Sequence, residues 1–133
     1  MFCKTQMISI TLGFPDVCKV TLPIGIVPIP LPNFVFSILS IPNVVDHFIQ
    51  AMPVHNLMTT TPISTGNEIS APLGGVVSNR FIGDKRNILG SFKTFYSCMP
   101  VTRMLDPAGQ NGSVLNVPGI NLSPSQIKVL ILV

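Results

Sequence analysis

Residues 25–33 read Gly-Ile-Val-Pro-Ile-Pro-Leu-Pro-Asn, with prolines at alternate positions 28, 30 and 32. Each proline ring locks φ and removes a backbone N–H, so the stretch is held extended with one backbone side stripped of donors. Such a segment runs along a sheet edge or along a partner, and it cannot sit inside a sheet. The same punctuation continues throughout: 13 prolines and 10 glycines separate short β-branched runs. That pattern predicts many short strands and turns, hence a mostly β fold of compact hairpins over a single domain, residues 1–133.

Composition narrows the surface and the setting. Of the 133 residues 47% are hydrophobic and 10% are charged, where an ordinary soluble domain has roughly 25% charged. Much apolar surface is therefore expected to face a partner. A membrane-spanning helix would need about 20 mostly apolar residues without breakers, and the longest candidate, Leu22 to Val45, contains five prolines. Stable membrane insertion is not expected. The start, Met1-Phe2-Cys3-Lys4, lacks the basic segment, apolar run and cleavage site of a signal peptide. The expectation is a chain made in the cytoplasm. Net charge is +3, but the eight basic residues are scattered, and only Arg80 to Arg86 forms a modest cluster, which includes Asp84. A nucleic-acid-binding stripe would be denser and interleaved with aromatics, so no nucleic-acid partner is expected.

Ile41 to Met52 is the one plausible helix. Pro42 suits its first turn, and Val44, Val45, Phe48, Ile49 and Met52 recur at helical spacing as one apolar stripe. Thr59 to Gly75 reads as a long loop. Val76-Val77-Ser78 and Arg80-Phe81-Ile82-Gly83 read as the start of a strand-rich half, with Asp84-Lys85-Arg86-Asn87 as a charged turn. Phe92 to Tyr96 is a predicted strand, and Gly109-Gln110-Asn111-Gly112 a turn. Val129 to Val133 are five consecutive apolar residues, sensible only as a strand that is covered or paired. Met52-Pro53-Val54 and Met99-Pro100-Val101 echo one another, which fits duplicated hairpins in a pseudo-symmetric domain.

Chemistry is sparse. The five acids, Asp16, Asp46, Glu68, Asp84 and Asp106, form no obvious acid–base pair, and nucleophile elbows, phosphate-binding glycine loops and His-Glu-x-x-His are absent. No enzyme activity is expected. Asp106 reads as holding a turn or pairing with Arg103, and His47 as lying on a solvated helix face. The alternative is a small toxin or enzyme using Cys98 and His55 as a nucleophile–base pair.

The blocks of this chain resemble the PAAR-repeat family. Gly90-Ser91 with the following strand, Pro100-Val101-Thr102-Arg103 and Asp106-Pro107 stand in that family's order. Gly13-Phe14-Pro15-Asp16-Val17-Cys18, Pro28-Ile29-Pro30-Leu31-Pro32-Asn33, Met52-Pro53-Val54-His55-Asn56-Leu57, Gly74-Gly75-Val76-Val77-Ser78 and Ser123 to Val129 resemble a PAAR-like subgroup with a Pro-Ile-Pro-Tyr motif, Leu31 standing for the Tyr. The resemblance implies a compact β cone of pseudo-three-fold character. It would cap the trimeric spike of a type VI secretion or related contractile injection system, one cap per trimer, and help recruit effector or adaptor proteins. The chain stops at Val133, so no attached effector domain is expected, and the resemblance implies export at the spike tip. It also implies zinc at the tip. Where the family commonly places a His after the Asp-Pro, this chain has Gln110. The candidate ligands are Cys18, His55 and Cys98, with a fourth unassigned; the competing reading packs them as ordinary core positions.

Overall fold

The computed structural model describes residues 1–133 as a mostly β chain with no helix longer than one short turn. Its ten strands are β1 (Ile10–Leu22), β2 (Gly25–Phe36), β3 (Val44–Ile49), β4 (Met52–Val54), β5 (Thr60–Thr61), β6 (Lys85–Asn87), β7 (Phe95–Tyr96), β8 (Met99–Pro100), β9 (Pro107–Gln110) and β10 (Val117–Asn121). Six of them form one sheet in the order β2-β1-β10-β9-β6-β5, and β3-β4 and β7-β8 are separate hairpins. Single turns of 3-10 helix occur at Ser37–Leu39 and Glu68–Ser70.

The alternating prolines lie in β2, the edge strand of the six-stranded sheet. In an antiparallel strand alternate residues direct their N–H and C=O to opposite sides. Phe34, of the same parity as the three prolines, exchanges backbone bonds with Thr65 and not with β1, at 2.7 and 2.8 Å. The proline side is therefore the side that faces away from β1, and the missing donors cost the ladder nothing.

Residues 42–52 are not helical, which corrects the expectation of a helix there. They form the β3-β4 hairpin, with Val44 opposite Val54 and Ile49 opposite Met52. Gln50 and Ala51 have φ of 53° and 61°, the two positive values that a primed two-residue hairpin turn requires. A short run of Val, Phe and Ile satisfies strand and helix periodicity alike, and long-range pairing of Val54 with Thr5 decides in favour of the strand. Other boundaries move too. Residues 76–83 are turn and irregular backbone, not strands, and Lys85–Asn87 is a sheet strand, not a charged turn. The predicted strand at Phe92 to Tyr96 shortens to Phe95–Tyr96, and the loop from Thr59 is broken by β5.

Three segments meet in a closed cycle of backbone hydrogen bonds. Lys4 N–H donates to the Thr102 carbonyl (3.0 Å), Thr102 N–H to that of His55 (3.4 Å), and His55 N–H to that of Lys4 (3.0 Å). A second cycle surrounds it: Gln6 to Pro53, Leu57 to Pro100 and Met104 to Phe2, at 3.0, 2.8 and 2.8 Å. Single bridges repeat the same offset, joining Cys3 to Arg103, Val54 to Thr5 and Val101 to Asn56. Cys3, Val54 and Val101 thus occupy equivalent places, and all three are fully buried in one cluster with Ile131.

Each segment is one arm of a pairing. Val54 ends β4, and Val101 follows β8, whose turn residues Ser97 and Cys98 have φ of 53° and 62°. The expected duplication of hairpins around Met-Pro-Val is present. Met1–Cys3 forms a third pairing with residues 129–131 through Cys3 N–H to Val129 O (3.2 Å) and Ile131 N–H to Met1 O (2.8 Å). The apolar run at 129–133 is thus only partly covered: Ile131 is buried, while Leu130 and Leu132 are exposed.

Because Val54 and Val101 fill equivalent sites in one cluster, Val54→Ala and Val101→Ala should destabilise by similar amounts, about 2 kcal/mol each. Urea unfolding of the two variants checks this, and a difference larger than their full effect would deny the equivalence.

Candidate functional site

Each of the three pairings presents apolar side chains to solvent. Val45 and Phe48 project from β3, Phe92 and Phe95 from the second hairpin and its approach, and Leu130 and Leu132 from the third pairing. Phe48, Phe92 and Leu132 are 60%, 70% and 78% exposed, large apolar side chains of the kind that interaction surfaces present. His47, exposed on β3, is tilted against Tyr96 with ring centroids 4.4 Å apart, so it links two of the hairpins and does not lie on a helix face.

Outside the Cys3, Val54, Val101 and Ile131 cluster the interior is largely polar. Among the 43 buried residues, polar and charged side chains outnumber hydrophobic ones by more than two to one. Lys4 donates to Ser9 Oγ, and Lys85 donates to Asn87 Oδ1 (2.7 Å) and Asn121 Oδ1 (3.2 Å). No carboxylate pairs with either lysine. Burial lowers Lys4 to about 8, and burial reinforced by the nearby Lys4 charge lowers Lys85 to about 7. His55 is bonded through Nε2 to Gln6 Oε1 (2.8 Å), and burial, then the charges of Lys85 and Lys4, lower it to about 3. At neutral pH it is an uncharged structural group.

Asp16 organises the other buried cluster. Asn33 and Asn67 donate to its Oδ2 at 3.0 Å and Asn111 at 3.1 Å, while Asn116 donates to Oδ1. Three of these amides are fixed from behind: Asn67 Oδ1 accepts from Ile82 N–H (3.2 Å), Asn111 Oδ1 from Gly83 N–H (3.2 Å), and Asn116 Oδ1 from Val77 N–H (2.8 Å). Their N–H groups must then face the carboxylate. Asp106 and Arg103 form a buried pair (3.0 Å), and the Asp106 carboxylate also accepts Arg103 N–H (2.8 Å). Asp106 therefore both holds the turn and pairs with Arg103, as the sequence suggests.

The three candidate zinc ligands stand in different surroundings. Cys18 is buried beside Asp16, where burial and then the Asp16 charge push its thiol up to about 11. His55 is spent on Gln6, and Cys98 is exposed in the β7-β8 turn. No three His, Cys, Asp or Glu side chains gather as a metal would need. The amides around Asp16 and Cys18 turn donors, not lone pairs, toward them. These residues do not fit a zinc centre, and no metal chemistry is assigned to them. Cys98 and His55 share no hydrogen bond: the thiol is exposed in the β7-β8 turn, while the imidazole is buried and bonded to Gln6. Gln110 is fully buried and its amide spans Gly13 N–H and Asn33 C=O, at 3.1 Å each.

Sequence reading missed the third arm, Met1-Phe2-Cys3, because it shares only its Met with Met52-Pro53-Val54 and Met99-Pro100-Val101. Equal offsets to the polar residue that follows the buried position, Lys4, His55 and Thr102, were the available signal. A family model described as the toxin PAAR-like domain matches residues 9–119. No curated protein and no solved structure matches the chain.

Two outcomes follow from the buried polar groups. Asp16→Asn keeps the size but leaves opposed amides, and should destabilise by about 3 kcal/mol, a loss typical of a charged buried hydrogen-bond node. For Lys85 and Lys4 the folded pKa lies below the unfolded 10.5, so above pH 7 the unfolded state binds more protons and stability rises with pH. Cys3 and Cys18, raised to about 12 and about 11, oppose this above pH 9. Tm should therefore climb between pH 7 and 9, and Lys85→Met should flatten that slope; an unchanged slope in thermal melts would reject the assignment.

Proposed function

The chain belongs to the toxin PAAR-like domain family, and from that premise we propose that it caps the blunt end of a three-fold symmetric spike protein. The setting is a contractile injection machine such as a type VI secretion system. The observation that carries the reading is the double cycle of backbone bonds relating Lys4, His55 and Thr102. We read it as a pseudo-three-fold axis. A single chain that sits on the axis of a trimer must offer three similar edges, one to each subunit. The β3-β4 hairpin, the β7-β8 hairpin and the pairing of 1–3 with 129–131 supply those edges, each with exposed apolar side chains.

Apolar contact suits the task. Burial at roughly 25 cal/mol per Å2 is non-directional and tolerates the mismatch between three similar edges and three identical subunits. Each edge carries one exposed charge, Asp46, Lys93 or Lys128, beside its larger apolar side chains, so apolar burial dominates the attachment and it resists salt. In this reading the protein acts by shape and attachment, is not an enzyme, leaves the cell at the spike tip, and helps recruit effector or adaptor proteins. No helix of the chain is long and apolar enough to cross a membrane.

Native mass spectrometry of the chain mixed with its spike trimer tests the proposal. One cap per trimer is expected at low and at high salt. Three caps, no complex, or dissociation in high salt would each count against it. Phe48→Ser with Phe92→Ser should weaken the complex by about tenfold or more, as loss of central apolar anchors does, without changing the circular dichroism.

A further inference from the structure

A second site lies away from the three hairpins, in the loop between the Asp16 cluster and β6. Pro62, Arg80, Phe81, Ile82, Arg86 and Ser113 line an open cavity of about 660 Å3. Charges are rare in this chain, and Lys4, Lys85, Arg103, Asp16 and Asp106 are buried. Of the five cations left toward solvent, Arg80 and Arg86 line this cavity, and Lys19 reaches its rim by donating to Asn79 Oδ1 (2.6 Å). Asp84 stands between the two guanidiniums, 3.6 Å from Arg80 and 3.3 Å from Arg86. It offsets their repulsion but leaves most of their donors free, since the side chains are 61% and 55% exposed.

The loop is built and strained. Gly74 has φ of +71° and packs so closely on the Arg80 backbone that a Cβ would lie 2.7 Å from the Arg80 nitrogen. Ile82, a β-branched residue, is held at φ 53°, a conformation that L residues avoid and that persists only where the surroundings enforce it. The enforcing bonds are Asn67 Oδ1 to Ile82 N–H and Asn111 Oδ1 to Gly83 N–H. Both amides belong to the Asp16 cluster, so a buried carboxylate fixes the floor on which the two arginines stand.

We propose that this cavity binds a short acidic peptide segment of a partner protein. Arginine forks meet carboxylates with paired hydrogen bonds. Phe81, Ile82 and Pro62 offer apolar contact to the neighbouring side chains of such a segment. A nucleic-acid backbone fits less well, because Asp84 interrupts the positive charge that a run of phosphates would follow. The site is independent of the end-on attachment proposed above, and the two fail separately.

The probe is a fluorescein-labelled octapeptide of alternating Glu and Leu with blocked termini, compared with a twin of alternating Gln and Leu. Fluorescence polarisation should show saturable binding of the Glu peptide that weakens with salt, and none of the twin. The double variant Arg80→Gln, Arg86→Gln should lose about tenfold or more in affinity, as removal of charge-assisted bonds predicts. On the unmodified protein, amide chemical-shift changes should centre on residues 79–86 and 113, a reading that needs no variant. Equal binding of the twin, unchanged affinity of the double variant, shifts centred on the hairpins, or preferential displacement by an oligothymidylate would each overturn the proposal.

Discussion

The structure depends on three carbonyl–amide bonds that close on themselves. Lys4, His55 and Thr102 come from the beginning, middle and later part of the chain, and none of their pairings is local. Closing such a cycle orders long loops at an entropic cost that grows only slowly with loop length. Once formed, it leaves no free sheet edge among the three segments, which is how a small set of very short strands becomes stable. The hydrophobic contribution is modest: Cys3, Val54, Val101 and Ile131 form one small cluster directly around the cycle.

Away from that cluster the interior is mostly polar, with Cys18, Val20, Val35, Val44, Ala108 and Val117 as its remaining buried hydrophobes. On the six-stranded sheet, Thr11, Asp16, Asn33 and Asn121 face inward, while Phe14, Phe34, Phe36 and Ile120 face solvent. An interior of this kind is stable only when its polar groups are satisfied, since an unpaired buried group costs more than a made bond returns. Four buried side-chain atoms lack a partner; many of the rest are held by Asn amides and Ser hydroxyls bonding to backbone and to Asp16. The consequence is rigidity, because hydrogen bonds are directional where apolar contact is not. A rigid polar interior with an apolar exterior is what the proposed attachment would require.

Asp16 connects this interior to the surface. Through Asn67 and Asn111 its carboxylate sets the conformation of residues 82 and 83, and thereby the spacing of Arg80 and Arg86. One buried charge thus shapes an exposed one, with the asparagine amides passing orientation from one to the other.

The sequence by itself determined the class of structure. Proline and glycine spacing act locally on φ and on donor supply, so the β character, the edge position of β2 and the hairpin at Met99-Pro100 were all legible. The Arg103–Asp106 pair was legible too, being three residues apart. The tertiary structure decided what periodicity left ambiguous. Residues 42–52 carry an apolar stripe that fits either element, and only the pairing of Val54 with Thr5 makes them a hairpin. It also decided which polar residues are buried: Lys4, Lys85 and Asp16 look like surface residues in sequence, and their burial follows from partners up to a hundred residues away. Finally, it dispersed Cys18, His55 and Cys98. Ligand chemistry can be read from residue types, but convergence on one point is a property of the fold, because side-chain direction is set by pairing register that no single segment encodes.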